Sequence, residues 1–343
     1  MYIFKLFRVK DWLITKLLFN LSFLLFVFYT TKPSINFIIE TIGLLLIYIL
    51  SIGSFGYFIN DCFDADSDRL QGKCNETYRL SLILKIILSC LLLCIGVIPV
   101  ILIISKPLGY FCLLLSQTLL LLLYSAPLIK LKRNILGIFA DSLFSFLLPA
   151  FITIFFAVRH FDNCLLYNNL SIFISFILWL FFNGLRSILI HQQHDFDNDL
   201  FSKTHTFTTN IGKIKASILI RFLICSEIIA FIVLTFFLPL WLSLATIISL
   251  ILYLIIEILI NFNNFRLSTG IVGVASKLNV FYNHYIFVGI SILMSFQISK
   301  YYLFIVLVFI LIKRSDFNSI IMFFYYKSVG AKRRLIKLFY KKN

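Results

Sequence analysis

Seven of the chain's fifteen acidic residues sit in two short segments: Asp61, Asp64, Asp66 and Asp68 in one, Asp195, Asp197 and Asp199 in the other. A helix turns about 100° per residue. On that spacing Asn60, Asp61, Asp64 and Asp68 share an arc of about 100°, Gly53 and Tyr57 precede them on the same face, and Asp66 points away. His191, Gln192, Asp195 and Asp199 share a similar arc, and Asp197 falls outside it. Carboxylates stacked on one face repel unless a cation lies among them. Oxygen-only donors suit Mg²⁺, which keeps several waters and reaches phosphate through one or two carboxylates. The expected metal set is Asn60, Asp61, Asp64, Asp68, Asp195 and Asp199. A calcium loop is excluded at both places. Arg69 and Leu200 stand where such a loop requires Gly, and Asn75 and Thr206 where it requires Glu.

The elements that carry these stripes are membrane spans. Of the 343 residues 61% are hydrophobic and 13% charged, with a mean hydropathy of +0.99. A soluble domain carries about 25% charge. A span needs about 20 apolar residues. Such runs cover 12–31, 37–59, 79–104, 107–126, 135–158, 167–190, 214–236 and 238–260, followed by an apolar region at 280–312 that crosses once or twice. The basic start is followed by no cleavage site, so the first run is expected to remain as a span. With the N-terminus inside, fourteen loop lysines and arginines up to residue 278 fall inside and three, Lys32, Lys106 and Arg159, outside. Nine or ten spans are therefore expected, ten if the basic tail is also inside. The loops at 60–79, 128–135 and 191–213 then share the cytoplasmic face. The chain divides into a transmembrane domain, 1–313, and a tail, 314–343, that reads as a basic interfacial helix on anionic lipid or a disordered segment. The formal net charge of +16 fits cytoplasmic loops and anionic lipid rather than nucleic acid. The seven cysteines form no CxxC pair and no zinc spacing.

These residues resemble the UbiA superfamily of intramembrane prenyltransferases. Asn60-Asp61-x-x-Asp64-x-x-x-Asp68 is similar to the family's first signature and Asp195-x-x-x-Asp199 to its second. Arg186 to Gln192 resembles the run into the second motif. Tyr124-Ser-Ala-Pro127-Leu-Ile-Lys130-Leu-Lys132 resembles a tyrosine-to-lysine loop of the family. Arg69, Lys73 and Arg79 follow the first motif as basic residues do in relatives, and Arg8-x-Lys10-Asp-Trp12 is similar to the family's opening. The resemblance covers about residues 5–213 and departs from the pattern at Leu80, Leu128 and Lys203.

The resemblance implies an all-α, polytopic transmembrane bundle around a central cavity with a polar cytoplasmic cap, set in a membrane such as the bacterial inner membrane. It implies Mg²⁺ as cofactor and a prenyl diphosphate as substrate. Asp64, Asp68, Asp195 and Asp199 are then the catalytic carboxylates. Arg69, Lys73, Lys130 and Lys132 add phosphate donors, as do Arg8 and Lys10. Tyr57 and Tyr124 offer aromatic faces to an allylic cation. His191 orients Asp195, and Gln192 contacts substrate. The acceptor expected from the family is aromatic or a quinone precursor. Cyclisation of the prenyl chain or phosphoribosyl transfer to a polyprenyl phosphate are alternatives within the family. Outside it stands a transporter using the acids as an ion site, although transporter sites lie nearer the bilayer midplane. A CDP-alcohol phosphotransferase requires Gly after its second Asp, where this chain has Ala65.

Overall fold

The computed structural model describes residues 5–70, 72, 74–102, 107–126, 129, 131–159, 170–201, 205–237, 240–262, 278, 279, 281, 282 and 289. Two compact units divide the chain, Met1–Phe287 and Val288–Asn343. All described residues except Gly289 belong to the first. The apolar region from 290 onward, and with it the tail at 314–343, lies outside the described residues.

Each of the eight runs expected up to residue 260 forms a helix: α1 (Val9–Thr31), α2 (Ile35–Leu70), α3 (Leu82–Leu102), α4 (Pro107–Ser125), α5 (Ile135–Val158), α6 (Leu170–His194), α9 (Lys213–Thr235) and α10 (Leu240–Phe262). Two short helices, α7 (Phe196–Phe201) and α8 (Phe207–Ile211), lie between α6 and α9. There is no strand among the described residues. Six of the helices are long and apolar enough to cross a membrane: α2 through residue 66, α3, α4, α5, α6 and α9. Within α1 and α10 the apolar stretches Thr15–Leu25 and Ser243–Tyr253 are shorter.

The fold follows from backbone chemistry in an apolar solvent. A helix satisfies its N–H and C=O groups internally, which hydrocarbon demands. Apolar side chains gain little by leaving lipid for protein, so packing depends on close contact and internal hydrogen bonds. Small residues supply the contact. Trp12 of α1 lies against Gly53 of α2, where a Cβ would overlap its indole, and Leu121 of α4 lies 3.0 Å from the Cβ position of Gly56. Hydrogen bonds supply the rest. Thr153 of α5 donates to Asn20 of α1 at 2.8 Å, and Ser142 of α5 to the Phe181 carbonyl of α6 at 3.0 Å. Ile138, Leu185, Ile188, Leu189, Ile220 and Leu223 join α5, α6 and α9. Exposed apolar side chains such as Leu82, Ile83, Ile214 and Leu240 face outward, as a lipid-facing surface requires.

Three local features position the site. First, α2 has 36 residues. It is about 54 Å long against a hydrocarbon core of about 30 Å, so it has length to spare beyond one crossing, and its acidic residues sit in its last turns. Second, α5 contains a π-helical turn, Leu143–Leu147, just after Asp141. Third, the turn Leu131–Arg133 packs tightly on the start of α5. The Gly137 N–H donates to the Asn134 carbonyl at 3.0 Å, and a Cβ on Gly137 would overlap the Leu131 carbonyl. Gly137→Ala must push that turn away. It should cost about 1–3 kcal/mol, seen as a lower melting temperature in detergent, with the Lys132 side chain displaced from its partner.

Candidate active site

A cavity of about 420 Å³ opens among α1, α2, α4, α5, α6 and α7. Both acidic stripes reach it. Asn60, Asp64 and Asp68 come from α2; His191 and Gln192 come from α6; Asp195 and Asp199 complete the opposite wall. The helix bends at Asp195, between α6 and α7. Its spacing nevertheless survives, because Asp195 N–H donates to the His191 carbonyl at 3.1 Å and Asp199 N–H to the Asp195 carbonyl at 2.8 Å.

Asp64 is anchored at both of its oxygens. Lys132 Nζ donates to both its oxygens, at 2.6 and 2.8 Å, and Asn60 Nδ2 donates to Oδ2 at 3.2 Å. Asn60 Oδ1 in turn accepts from Ser125 of α4 at 3.1 Å. Asp68 accepts from Asn75 Nδ2 at 2.8 Å, in the loop after α2. That loop is itself fixed: Thr77 donates to the Asp61 carbonyl at 3.0 Å, and the Asn75 side chain caps the turn Glu76–Arg79. On the other wall His191 Nε2 lies 3.9 Å from Asp195 Oδ2. Gln192 is buried, and its Oε1 accepts from the Thr208 N–H at 3.3 Å, which ties α8 to the end of α6. Asn210 Nδ2 donates to the Arg133 carbonyl at 3.0 Å, joining the second wall to the Lys132 turn.

The remaining expected residues divide. Tyr57, Tyr124, Lys132 and Arg8 line the cavity. The Arg8 guanidinium lies 5.5 Å from the Tyr57 ring centroid, and Tyr57 stacks on Trp12 at 5.7 Å. Asp61 does not line it. Its buried carboxylate pairs with Arg8 at 3.3 Å. Arg69 is exposed and bonds to the Tyr78 hydroxyl, outside the cavity. Lys10 sits on α1, with its side chain outside the described residues, as are Lys73 and Lys130. Asp66 is exposed, and Asp197 pairs with Lys213 at 3.0 Å. Both stand apart from the cavity, as their helical phase requires.

The cavity has an apolar body below this polar end. Trp12, Ile49, Ile52, Leu121, Phe144 and Ile188 contribute to it. Residues that helix phasing did not single out also face it: Lys16, Tyr48, Gln117, Asp141 and Ser145. Lys16 and Asp141 had a legible signal, each being the lone charge in its apolar run.

Among the described residues no three His, Cys, Asp or Glu side chains converge on one point closely enough to hold an ion by themselves. The donor set nevertheless fits a hard divalent cation that keeps its waters. Such a cation takes one or two carboxylates and completes its shell with phosphate oxygens. Two acidic walls facing across a cavity match an anionic ligand bridged by cations between them.

No protein-family model and no curated protein sequence matches the chain. Its fold matches solved structures of a UbiA homolog from Archaeoglobus fulgidus. The structure of that protein bound to GPP and Mg²⁺ is 16% identical, covers 84% of this chain and 99% of its own, and gives a TM-score of 0.56. The form bound to DMAPP and Mg²⁺ gives the same values. The form bound to Cd²⁺ is 15% identical over 85% of this chain and 100% of its own, with a TM-score of 0.54. The chain therefore has the UbiA transmembrane helical fold.

Proposed function

We propose that this chain is a Mg²⁺-dependent intramembrane prenyltransferase of the UbiA superfamily. The observation that carries the reading is the meeting of two acidic motifs, more than a hundred residues apart in sequence, at the polar end of one cavity with an apolar body. A prenyl diphosphate has the matching shape: a highly charged head and a long hydrocarbon tail. The likeness of fold to a protein bound to GPP or DMAPP with Mg²⁺ supports the same assignment.

Asn60, Asp64 and Asp68 on one wall and Asp195 and Asp199 on the other would hold Mg²⁺, which when bound would supply positive charge for the departing diphosphate. Lys132 donates to the diphosphate when it leaves Asp64. Arg8, held by Asp61, adds a second cation at the rim. The Tyr57 and Tyr124 rings stabilise the allylic cation by their faces, and the apolar walls keep water from it. His191 positions Asp195. Gln192 holds the α6–α8 junction and so the second wall. The acceptor is an aromatic, quinone-type molecule, and the polar end faces the cytoplasm, as the charge asymmetry of the loops requires.

The test uses purified protein, prenyl diphosphates of several chain lengths carrying a label, and Mg²⁺. Diphosphate release that requires the protein and stops on chelation is expected, with prenylated product when an aromatic acceptor panel is added. No release with any chain length or acceptor would favour a carrier or ion pathway over an enzyme.

A further inference from the structure

Arg69 and Arg79, which follow the first acidic motif, do not line the active-site cavity. They share a separate cleft of about 340 Å³ with Gly72, Cys74, Glu76 and Tyr78. Local chemistry builds it. α2 ends at Leu70. Gly72, at φ +68°, turns the chain back, and its N–H donates to the Arg69 carbonyl at 3.1 Å. Asn75 caps the turn Glu76–Arg79, and the fully buried Thr77 donates to the Asp61 carbonyl at 3.0 Å. With Thr77 anchored inward, Tyr78 and Arg79 stay exposed, as Arg69 does. The Arg69 guanidinium lies 4.7 Å from the Tyr78 ring centroid and bonds to its hydroxyl.

Charge and position together point to a ligand class. Tyr78 is a neutral partner, so Arg69 keeps its full charge. Glu76 is the one carboxylate among the described residues of the cleft, and two guanidiniums against it leave a charge of +1. The cleft also adjoins lipid. Leu82, three residues after Arg79, begins α3. Of the six helices able to cross a membrane α3 is the least covered by protein, with 17% of its apolar window buried against 33–61% in the others. Leu82, Ile83, Ile86 and Ile87 are each more than half exposed, and they share an arc of about 140° at 100° per residue. Arg79 therefore stands at the level of the headgroups, beside an apolar strip that runs into the hydrocarbon. Guanidinium groups match phosphate oxygens with planar paired donors, and basic residues at a membrane boundary attract anionic lipid.

We propose that the cleft between α2 and α3 binds the headgroup of an anionic phospholipid. Arg69 and Arg79 hold the phosphodiester, whose single negative charge balances the cleft, and the acyl chains lie along Leu82, Ile83, Ile86 and Ile87. The bound headgroup sits behind the first acidic wall, because Asn75 lines the cleft and also donates to Asp68 at 2.8 Å. The site does not depend on prenyl transfer.

Native mass spectrometry on the purified full-length protein in a neutral detergent tests it, by titration with dioleoyl phosphatidylglycerol and dioleoyl phosphatidylcholine. The first phosphatidylglycerol bound should bind at least about tenfold more tightly than phosphatidylcholine, the scale of one charge-assisted hydrogen bond. Arg79→Gln should weaken it about tenfold on the same scale, and Arg69→Gln combined with Arg79→Gln should abolish the preference. Lys5→Gln combined with Lys215→Gln removes two exposed basic charges elsewhere and should leave the preference intact. Glycerophosphoglycerol, the headgroup without its chains, should fail to displace the lipid at about 100-fold excess, because the chains supply apolar burial. Melting temperatures measured without added lipid report folding, and the exposed Arg79→Gln alone carries the test if the double variant melts early. The site is overturned if the two lipids bind alike, if Arg79→Gln leaves the preference unchanged, or if the Lys5 and Lys215 variant loses it equally. Displacement by glycerophosphoglycerol would overturn the lipid assignment in favour of a free phosphate site.

Discussion

Asp64→Asn and Asp195→Asn each lower Mg²⁺-dependent diphosphate release by at least about 100-fold, the scale of removing one preorganised electrostatic contact in a reacting site. Asp64 is the junction of the first wall. It accepts two bonds from Lys132 and one from Asn60. Asn at this position keeps the volume, but it removes the anion that a divalent cation needs and turns one acceptor oxygen into a donor. The double variant should lose little more than the worse single one, because the two walls act on one diphosphate and groups acting as a unit are not additive. Asp66→Asn and Asp197→Asn supply the contrast. Asp66 is exposed off the cavity face, and Asp197 is 80% exposed in a surface pair with Lys213. Neither should change the rate by more than about twofold, since exposed pairs are worth about 0–1 kcal/mol. Initial rates of diphosphate release across the four single variants check the pattern. A reaction that depends equally on all four acids would point to bulk charge rather than to the cavity.

The largest effect on stability is expected away from the cavity. Arg186 of α6 and Glu227 of α9 form an ion pair with both side chains essentially inaccessible, 1% and 0% exposed. Arg186 Nη2 also donates to Asn279 Oδ1 at 2.6 Å, and Asn183 Nδ2 donates to Glu227 Oε1 at 3.2 Å. Removing one charge strands the other in an apolar interior. Arg186→Met should therefore cost about 3–5 kcal/mol, while Arg186→Met combined with Glu227→Leu should recover most of it, since an apolar pair replaces a buried ion pair at little cost. Melting temperatures in detergent, read by loss of monodisperse protein, check both. Arg186→Met alone should also slow catalysis only as far as it unfolds the protein, because Arg186 is not among the residues that line the cavity.

The helices up to residue 260 were legible because lipid imposes a simple rule on the chain: long apolar runs with their charges at the ends. The pairing of Asp64 with Asp68, and of Asp195 with Asp199, was legible because helical phase is local arithmetic. That arithmetic survived even the bend at Asp195, where the backbone bonds on either side keep the spacing of four. Phase alone was weakest at the edge of the arc. Asp61 lies there, about 100° from Asn60, and the loop carrying Asn75 and Thr77 packs over its backbone while Arg8 takes its carboxylate. No count of faces on α2 contains that loop. Lys132 reached Asp64 for a reason equally remote from sequence spacing, the close approach of its turn to Gly137. Lys16, Gln117 and Asp141 face the cavity only through tertiary packing of α1, α4 and α5, and Arg186 finds Glu227 forty-one residues away in the same manner.

Binding of a non-reactive prenyl thiodiphosphate to the purified protein, with and without Mg²⁺, bears most directly on the claim that two acidic walls hold Mg²⁺ against a prenyl diphosphate. The anionic terminal oxygens of the diphosphate head do not settle among carboxylates without cations, so affinity should rise with Mg²⁺ by at least about 100-fold, the reach of a few charge-assisted contacts. The rise should vanish in the variant carrying Asp64→Asn with Asp195→Asn. Equal affinity with and without Mg²⁺, or a full Mg²⁺ effect in that double variant, would contradict the account.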